Sequence, residues 1–190
     1  MAAEEGFQTP SELLAAAQEF KKQGNAFFKE GNYPKALFQY HQALNFVKPV
    51  GIPGEVDAAT SQAQALGVKG KDMSIPAEEL DELRDLKAST NLNMLQCYMK
   101  QDPSKLPKAL ASATEALRHR ETSKGYFKRG QCHLLREDID GARHDFEKAR
   151  ELDTDAVMQK AIESELAKLT QIERKQQQQQ KKAFGNMFKA

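Results

Sequence analysis

Two glycines stand inside stretches that otherwise read as helix, and the residues after them keep the same intervals. Gly24 is followed by Ala36, Tyr40 and Ala43, and Gly130 by Ala142, Phe146 and Ala149. Each glycine has an aromatic residue four positions earlier, Phe20 and Tyr126, and a ring three positions later, Phe27 and His133. A helix-interior glycine costs roughly 1 kcal/mol against alanine. Placing one twice in the same frame therefore marks two points where a second helix must approach closely.

A third copy of the pattern lies between these two. It starts near Ala88, carries Tyr98 at the second bulky position, and has a turn two residues longer, QDPSKLP. Ala109, Ala113 and Ala116 follow, and setting Ala88 against Ser123 gives a repeat of 35 residues. One helix pair cannot bury its apolar face alone. Copies of this length therefore stack, and a final helix closes the end.

The helix boundaries have local causes. Thr9, Pro10 and Glu12 form a capping-box start, and the first helix runs to about Lys29. Gly31-Asn32 makes the turn, and the next helix turns Ala36, Tyr40 and Ala43 to one face. Ser74 and Pro76 open a long helix whose first part is acidic. SKGYFKRGQCHLL and DIDGARHDFEKAREL form the last pair. A long helix then starts near Thr154, with Val157, Ile162, Leu166, Leu169 and Ile172 as its apolar stripe. Its second half is polar all round and should project or fray.

The expected organisation is all-α: an α-solenoid of three helix pairs plus a long capping helix. Residues 1–10 form a flexible N-terminus and 11–175 the domain. The repeats fall at about 17–47, 76–121 and 123–153, with an insertion loop at 48–75, a capping helix at 154–175 and a polar, basic tail at 176–190.

Composition excludes several function classes. Net charge is +1 over 190 residues, so no global field selects nucleic acid or a membrane surface. No apolar run reaches the roughly 18 residues that a bilayer needs. The N-terminus carries acid where a signal peptide carries base. Cys97 and Cys132 form no CxxC and read as small buried residues of a reducing compartment. The cytoplasm, or the nucleus, is the expected location. His41, His119, His133 and His144 show no metal spacing, and no HExxH or phosphate-binding glycine loop occurs. No catalysis, metal or cofactor is expected.

The inward faces of the first helices of each pair carry the chemistry. Lys21 and Asn25 are four apart and share a face. The second pair offers Asn93, Gln96 and Lys100. Asn91 is the other candidate for the inward amide, and the five-residue spacing to Tyr98 selects Asn93. The third pair offers Lys124 and Lys128, again four apart. Of these, the three ammonium groups of Lys21, Lys124 and Lys128 and the two amides of Asn25 and Asn93, with no acid expected on those faces, suit a carboxylate held by charge-assisted hydrogen bonds. A lysine on a helix face is more often only solvated. Five matched positions on three helices favour a site. Phe28, Gln96 and Lys100 are its expected neighbours, with Phe28 offering a rest for an apolar side chain.

The spacing of Gly24, Ala36 and Tyr40, repeated at Gly130, Ala142 and Phe146, resembles the tetratricopeptide repeat. Lys21-x3-Asn25, Asn93 and Lys124-x3-Lys128 resemble the dicarboxylate clamp of chaperone-binding tetratricopeptide domains. NLNMLQCYMK and SKGYFKRGQ are similar to stretches of the large immunophilins and the aryl-hydrocarbon-receptor-interacting protein, and the ending KKAFGNMFKA resembles that of immunophilins. An insertion after the second helix also occurs in the tetratricopeptide repeat protein 9 family. The resemblance implies an adaptor for the C-terminal EEVD peptide of heat-shock protein 90, or of heat-shock protein 70, held by Lys21, Asn25, Asn93, Lys124 and Lys128. Two features depart from the family. The fifth clamp position is often arginine, and here Lys128 stands there with Arg129 beside it. No isomerase domain is expected ahead of the repeats within these 190 residues.

Two other partners suit the chain. A tetratricopeptide scaffold can take a non-chaperone peptide that lacks a free terminal carboxylate. The tail holds Lys168, Arg174, Lys175, Lys181, Lys182 and Lys189 beside Phe184, Met187 and Phe188. Such a basic amphipathic segment suits calmodulin or an anionic membrane surface.

Overall fold

The computed structural model describes residues 9–50 and 75–187. Among them are seven α-helices and no strand: α1 (Pro10–Lys29), α2 (Tyr33–Phe46), α3 (Leu80–Gln101), α4 (Leu106–His119), α5 (Ser123–Leu135), α6 (Ile139–Leu152) and α7 (Ala156–Met187). They fall into two compact units, Met1–Arg120 and Glu121–Ala190.

In the first unit, α1 begins as its capping box requires. Thr9 Oγ1 accepts from the Glu12 amide at 3.2 Å, and Glu12 Oε2 accepts from the Thr9 amide at 3.1 Å. Such a cap contributes about 1 kcal/mol. Gly31 takes φ 76°, the left-handed turn that lets the chain reverse. Asn32 then caps α2 by accepting from the Lys35 amide. The reversal lays α2 along α1, where a Cβ on Gly24 would lie only 2.5 Å from Tyr40 Cε1. Glycine is there because the phenol occupies the space of a side chain.

The core of this unit joins α1, α2 and α3 through Leu14, Ala17, Ala43, Val47, Leu83 and Leu86. Val50 and Ile75, at the two ends of the insertion, are buried in the same cluster. The expected loop at 48–75 thus leaves from the core and returns to it. Its residues 51–74, with the single helical turn expected near Ala58 to Ala65, lie outside the described residues.

Two boundaries differ from expectation. Pro76 stays extended (ψ 144°), and a single 3₁₀ turn, Ala77–Glu79, precedes α3, which begins at Leu80. Ser74 is outside the described residues. The turn before α4 is shorter than QDPSKLP: Asp102 accepts from the Ser104 amide at 2.8 Å, and α4 already starts at Leu106. Proline is tolerated in a first helical turn, so Pro107 does not delay it. Ala109, Ala113 and Ala116 are buried as the repeat requires.

In the second unit, Thr122 caps α5 and Asp138 caps α6, each accepting from an amide three residues on. A Cβ on Gly130 would lie 2.8 Å from Phe146 Cε1, matching the contact in the first pair. Asp155 caps α7, and Ile162 and Leu169 of that helix enter a core with Phe127, Ala142 and Phe146. Val157, expected in that stripe, is instead 79% exposed. It sits in the first turn of α7, ahead of the buried stretch. The division at residue 175 is not a structural break either. α7 runs on to Met187 with residues 174–182 exposed. Lys, Arg and Gln are good helix formers and continue the helix without packing. The ion pair of Arg143 with Glu173, at 2.6 Å, ties α7 to α6 just before this stretch.

Cys97 and Cys132 are free and fully buried, and burial pushes their thiols up to about 12 and about 11. Among the described residues no helix is long and apolar enough to cross a membrane.

Candidate functional site

The contact between Gly24 and Tyr40 delivers the phenol hydroxyl to α1. Tyr40 is 1% exposed, and its hydroxyl donates to Asn25 Oδ1 at 2.8 Å. Asn93 Nδ2, on α3, donates to the same oxygen at 2.9 Å. A carbonyl oxygen has two lone pairs, and both are used here. Asn25 is thereby turned so that its nitrogen is what it offers a further partner. Burial pushes the Tyr40 hydroxyl up to about 12, so it keeps the proton it donates.

One turn earlier on α1, Lys21 Nζ donates to Ser89 Oγ at 2.6 Å. The Ser89 hydroxyl donates in turn to the Asp85 carbonyl of its own helix. Lys21, Asn25 and Asn93 are therefore brought together where α1 faces α3. Asn91, the other candidate, is buried, and its Nδ2 donates to the Lys87 carbonyl at 2.9 Å. It serves its own helix and does not meet Asn25.

A pocket of ≈ 310 Å³ opens beside these residues. Lys21, Lys22 and Asn25 form one wall, and Glu82 and Asp85 the other. The absence of acid expected on this face is thus corrected. The acidic first turns of α3 rotate two carboxylates toward α1. Both carry partners: Glu82 Oε1 accepts from Gln18 at 2.6 Å, and Asp85 pairs with Arg120 at 2.8 Å.

The expected neighbours occupy the same faces. Phe28 is half-buried and meets Tyr33 edge-on, with centroids 5.5 Å apart. Gln96, half-buried, and Lys100, exposed, follow Asn93 at helical spacing on α3.

The second unit holds the other two expected residues, both on α5. Lys124 is exposed. Lys128 is half-buried; its Nζ donates to Gln131 Oε1 at 3.2 Å and stands 5.8 Å from the centre of the Phe127 ring. Arg129 does not share this role. Its guanidinium grips Asp145 through two bonds of 2.7 Å each, and Asp145 is 1% exposed. The planar fork beside Lys128 is therefore committed to the core.

Tyr40, Ser89 and Asp145 were missed by sequence reasoning. Tyr40 and Asp145 left a signal. Tyrosine replaces phenylalanine at one of two equivalent positions, and a lone carboxylate sits in the buried Ala142, Phe146, Ala149 stripe. Ser89 left none.

No protein-family model matches the chain. It is 30% identical to the peptidyl-prolyl cis-trans isomerase FKBP4 of Mus musculus over 179 residues, 94% of this chain and 33% of that protein. The chain spans about a third of the length of the first curated relatives it matches. Among solved structures, it is similar to the C-terminal TPR-containing domain of an FK506-binding protein of Plasmodium falciparum. The TM-score is 0.62 at 24% identity, over 88% of this chain and 97% of that one. It is also similar to the first TPR of Spaghetti (RPAP3), bound to the HSP90 peptide SRMEEVD. There the TM-score is 0.57 at 18% identity, over 84% and 94% of the two chains. The fold is that of tetratricopeptide-repeat domains, as the repeat spacing predicts.

Proposed function

We propose that this tetratricopeptide-repeat chain is a co-chaperone-like adaptor that captures the C-terminal EEVD peptide of heat-shock protein 90, or of heat-shock protein 70. The observation that carries the reading is the Asn25 amide, whose oxygen is occupied by Tyr40 and Asn93. An amide held with its nitrogen outward, beside the Lys21 ammonium, is a donor pair for an anion. Lys21, Asn25 and Asn93 of the first unit take a carboxylate of the peptide terminus, and Lys124 and Lys128, on α5 of the second unit, are the further ammonium groups assigned to the peptide. Each shielded bond of this kind contributes about 1.5–3 kcal/mol. The HSP90 peptide bound to the Spaghetti TPR has such a terminus, which supports the choice of partner.

The reading takes residues 11–175 as the binding domain and needs no catalytic step. The isomerase activity in the names of the relatives is theirs. The partner and the two reduced cysteines favour the cytoplasm or nucleus. The test is titration calorimetry with a free-acid MEEVD peptide, its C-terminally amidated twin and a Lys124→Ala variant. Micromolar binding, lost on amidation and in the variant, supports the clamp. Equal binding of acid and amide hands the groove to an internal peptide of a non-chaperone partner.

A second reading rests on α7. Its exposed stretch carries Arg174, Lys175, Lys181 and Lys182 on a continuous helix. The sequence adds Phe184, Met187 and Phe188, and these are the basic and apolar residues that calmodulin or an anionic membrane surface takes. A pull-down with calcium-loaded calmodulin and flotation with anionic vesicles test it.

A further inference from the structure

The two contacts between glycine and aromatic ring are alike except for one oxygen atom. Tyr40 fills the space over Gly24, Phe146 fills the space over Gly130, and both rings are buried. The close approach of the helices is therefore reached with or without a hydroxyl. What differs is the residue after each glycine. In the second unit it is Gln131, whose Oε1 accepts from Lys128. In the first it is Asn25, whose Oδ1 accepts from the Tyr40 hydroxyl.

We propose that Tyr40 is a positioning residue of the peptide site. Its buried hydroxyl, acting with Asn93 Nδ2, fixes the Asn25 amide so that nitrogen and not oxygen faces the ligand carboxylate. This rests on the carboxylate reading above. An asparagine amide has two orientations of nearly equal shape, and they differ in what they show a ligand. One presents two N–H donors; the other presents a carbonyl oxygen that repels a carboxylate. A phenol is a strong donor and a poor acceptor, so it favours the orientation in which oxygen points inward. Asn93 Nδ2 has only hydrogens to give and selects the same orientation. Tyr40 is too buried to touch a ligand itself. Its effect passes through Asn25.

The experiment is a double-mutant cycle with Tyr40→Phe and Asn25→Ala, titrated with free-acid and amidated MEEVD. The packing over Gly24 survives in Tyr40→Phe, because Phe146 already fills the equivalent space. Removing the hydroxyl is expected to weaken free-acid binding roughly three- to tenfold, the equivalent of one hydrogen bond. Residual binding of the amide should not change. In the Asn25→Ala background, Tyr40→Phe should have no further effect. Peptide-free Tyr40→Phe should also show displaced side-chain amide resonances for Asn25 and Asn93. If the wild-type chain prefers the free acid and Tyr40→Phe binds it as tightly, the positioning role is overturned and the clamp stands. An equal loss with and without Asn25 overturns the role too, because the hydroxyl then acts on the fold. A wild-type chain indifferent to amidation overturns the carboxylate reading and, with it, the role given to Tyr40.

Discussion

Arg129 holds Asp145 by two hydrogen bonds of 2.7 Å, and the carboxylate it holds is 1% exposed. The arginine beside Lys128 is thus a structural clasp between α5 and α6. Removing it leaves a buried carboxylate whose remaining ionisable neighbour is His133, with Nε2 3.8 Å from Asp145 Oδ2. A buried carboxylate stripped of its main partner costs more than a surface ion pair contributes.

Arg129→Met should destabilise the chain by about 3 kcal/mol, read from urea unfolding. Lys128→Ala should leave stability within about 0.5 kcal/mol and weaken binding of the free-acid peptide. The opposite pattern, with Arg129→Met stable but unable to bind, would give the clamp position to Arg129.

Gly24→Ala sets two effects against each other. Alanine gains roughly 1 kcal/mol of helix propensity. Its Cβ meets the Tyr40 ring at 2.5 Å, and the ring is buried and cannot swing away. Overpacking of this kind costs about 1–3 kcal/mol, so the net change in thermal unfolding should be destabilising. Gly130→Ala should behave likewise against Phe146. A stabilised Gly24→Ala would mean that the two helices can separate freely.

The repeat intervals made both close helix approaches legible, at Gly24 and at Gly130; that Tyr40 and Phe146 are the rings that fill the space there comes from the structure. The cap at Thr9, the turn at Gly31-Asn32 and the full extent of α5 were legible too, because each rests on local chemistry; that Asn32 also caps α2 comes from the structure. The acidic wall of the pocket was not. α3 is buried on nearly every side along Thr90, Asn91, Leu92, Met94, Leu95, Cys97 and Tyr98. A helix with so little amphipathic contrast does not reveal its rotational phase, so the facing of Glu82 and Asp85 toward Lys21 could not be read. Val157 failed for a different reason. An apolar periodicity does not say in which turn a helix first meets its neighbours. The pairing of Arg129 with Asp145 joins two helices and has no local signature.

Ser89 receives the Lys21 ammonium, so Ser89→Ala should loosen Lys21 without unfolding α3. Serine and alanine differ little in volume, and alanine favours the helix. Free-acid peptide affinity should fall roughly two- to tenfold, and the dependence of Kd on salt should stay as in the wild type, because no charge is removed. Lys21→Ala should weaken binding further and flatten the salt dependence. A Ser89→Ala variant with unchanged Kd would show that Lys21 needs no anchor on α3.

Asp138 supplies a pH test of the second unit. The Gly141 amide at the start of α6 holds its carboxyl below the ordinary value of 3.8, with His133 adding to the effect. A carboxylate depressed in the folded state contributes stability that is present above its unfolded pKa. That contribution disappears as pH falls through the folded value. Asparagine caps a helix about as well as aspartate but carries no charge to lose. The wild type should therefore be more stable than Asp138→Asn at neutral pH. The gap should close as pH falls below the ordinary value of 3.8 and through the lower value of the folded state. Urea titrations of the two proteins across that range measure it. A gap that persists to the lowest pH would mean that Asp138 acts through shape alone, and that its hydrogen bond to the Gly141 amide draws nothing from its charge.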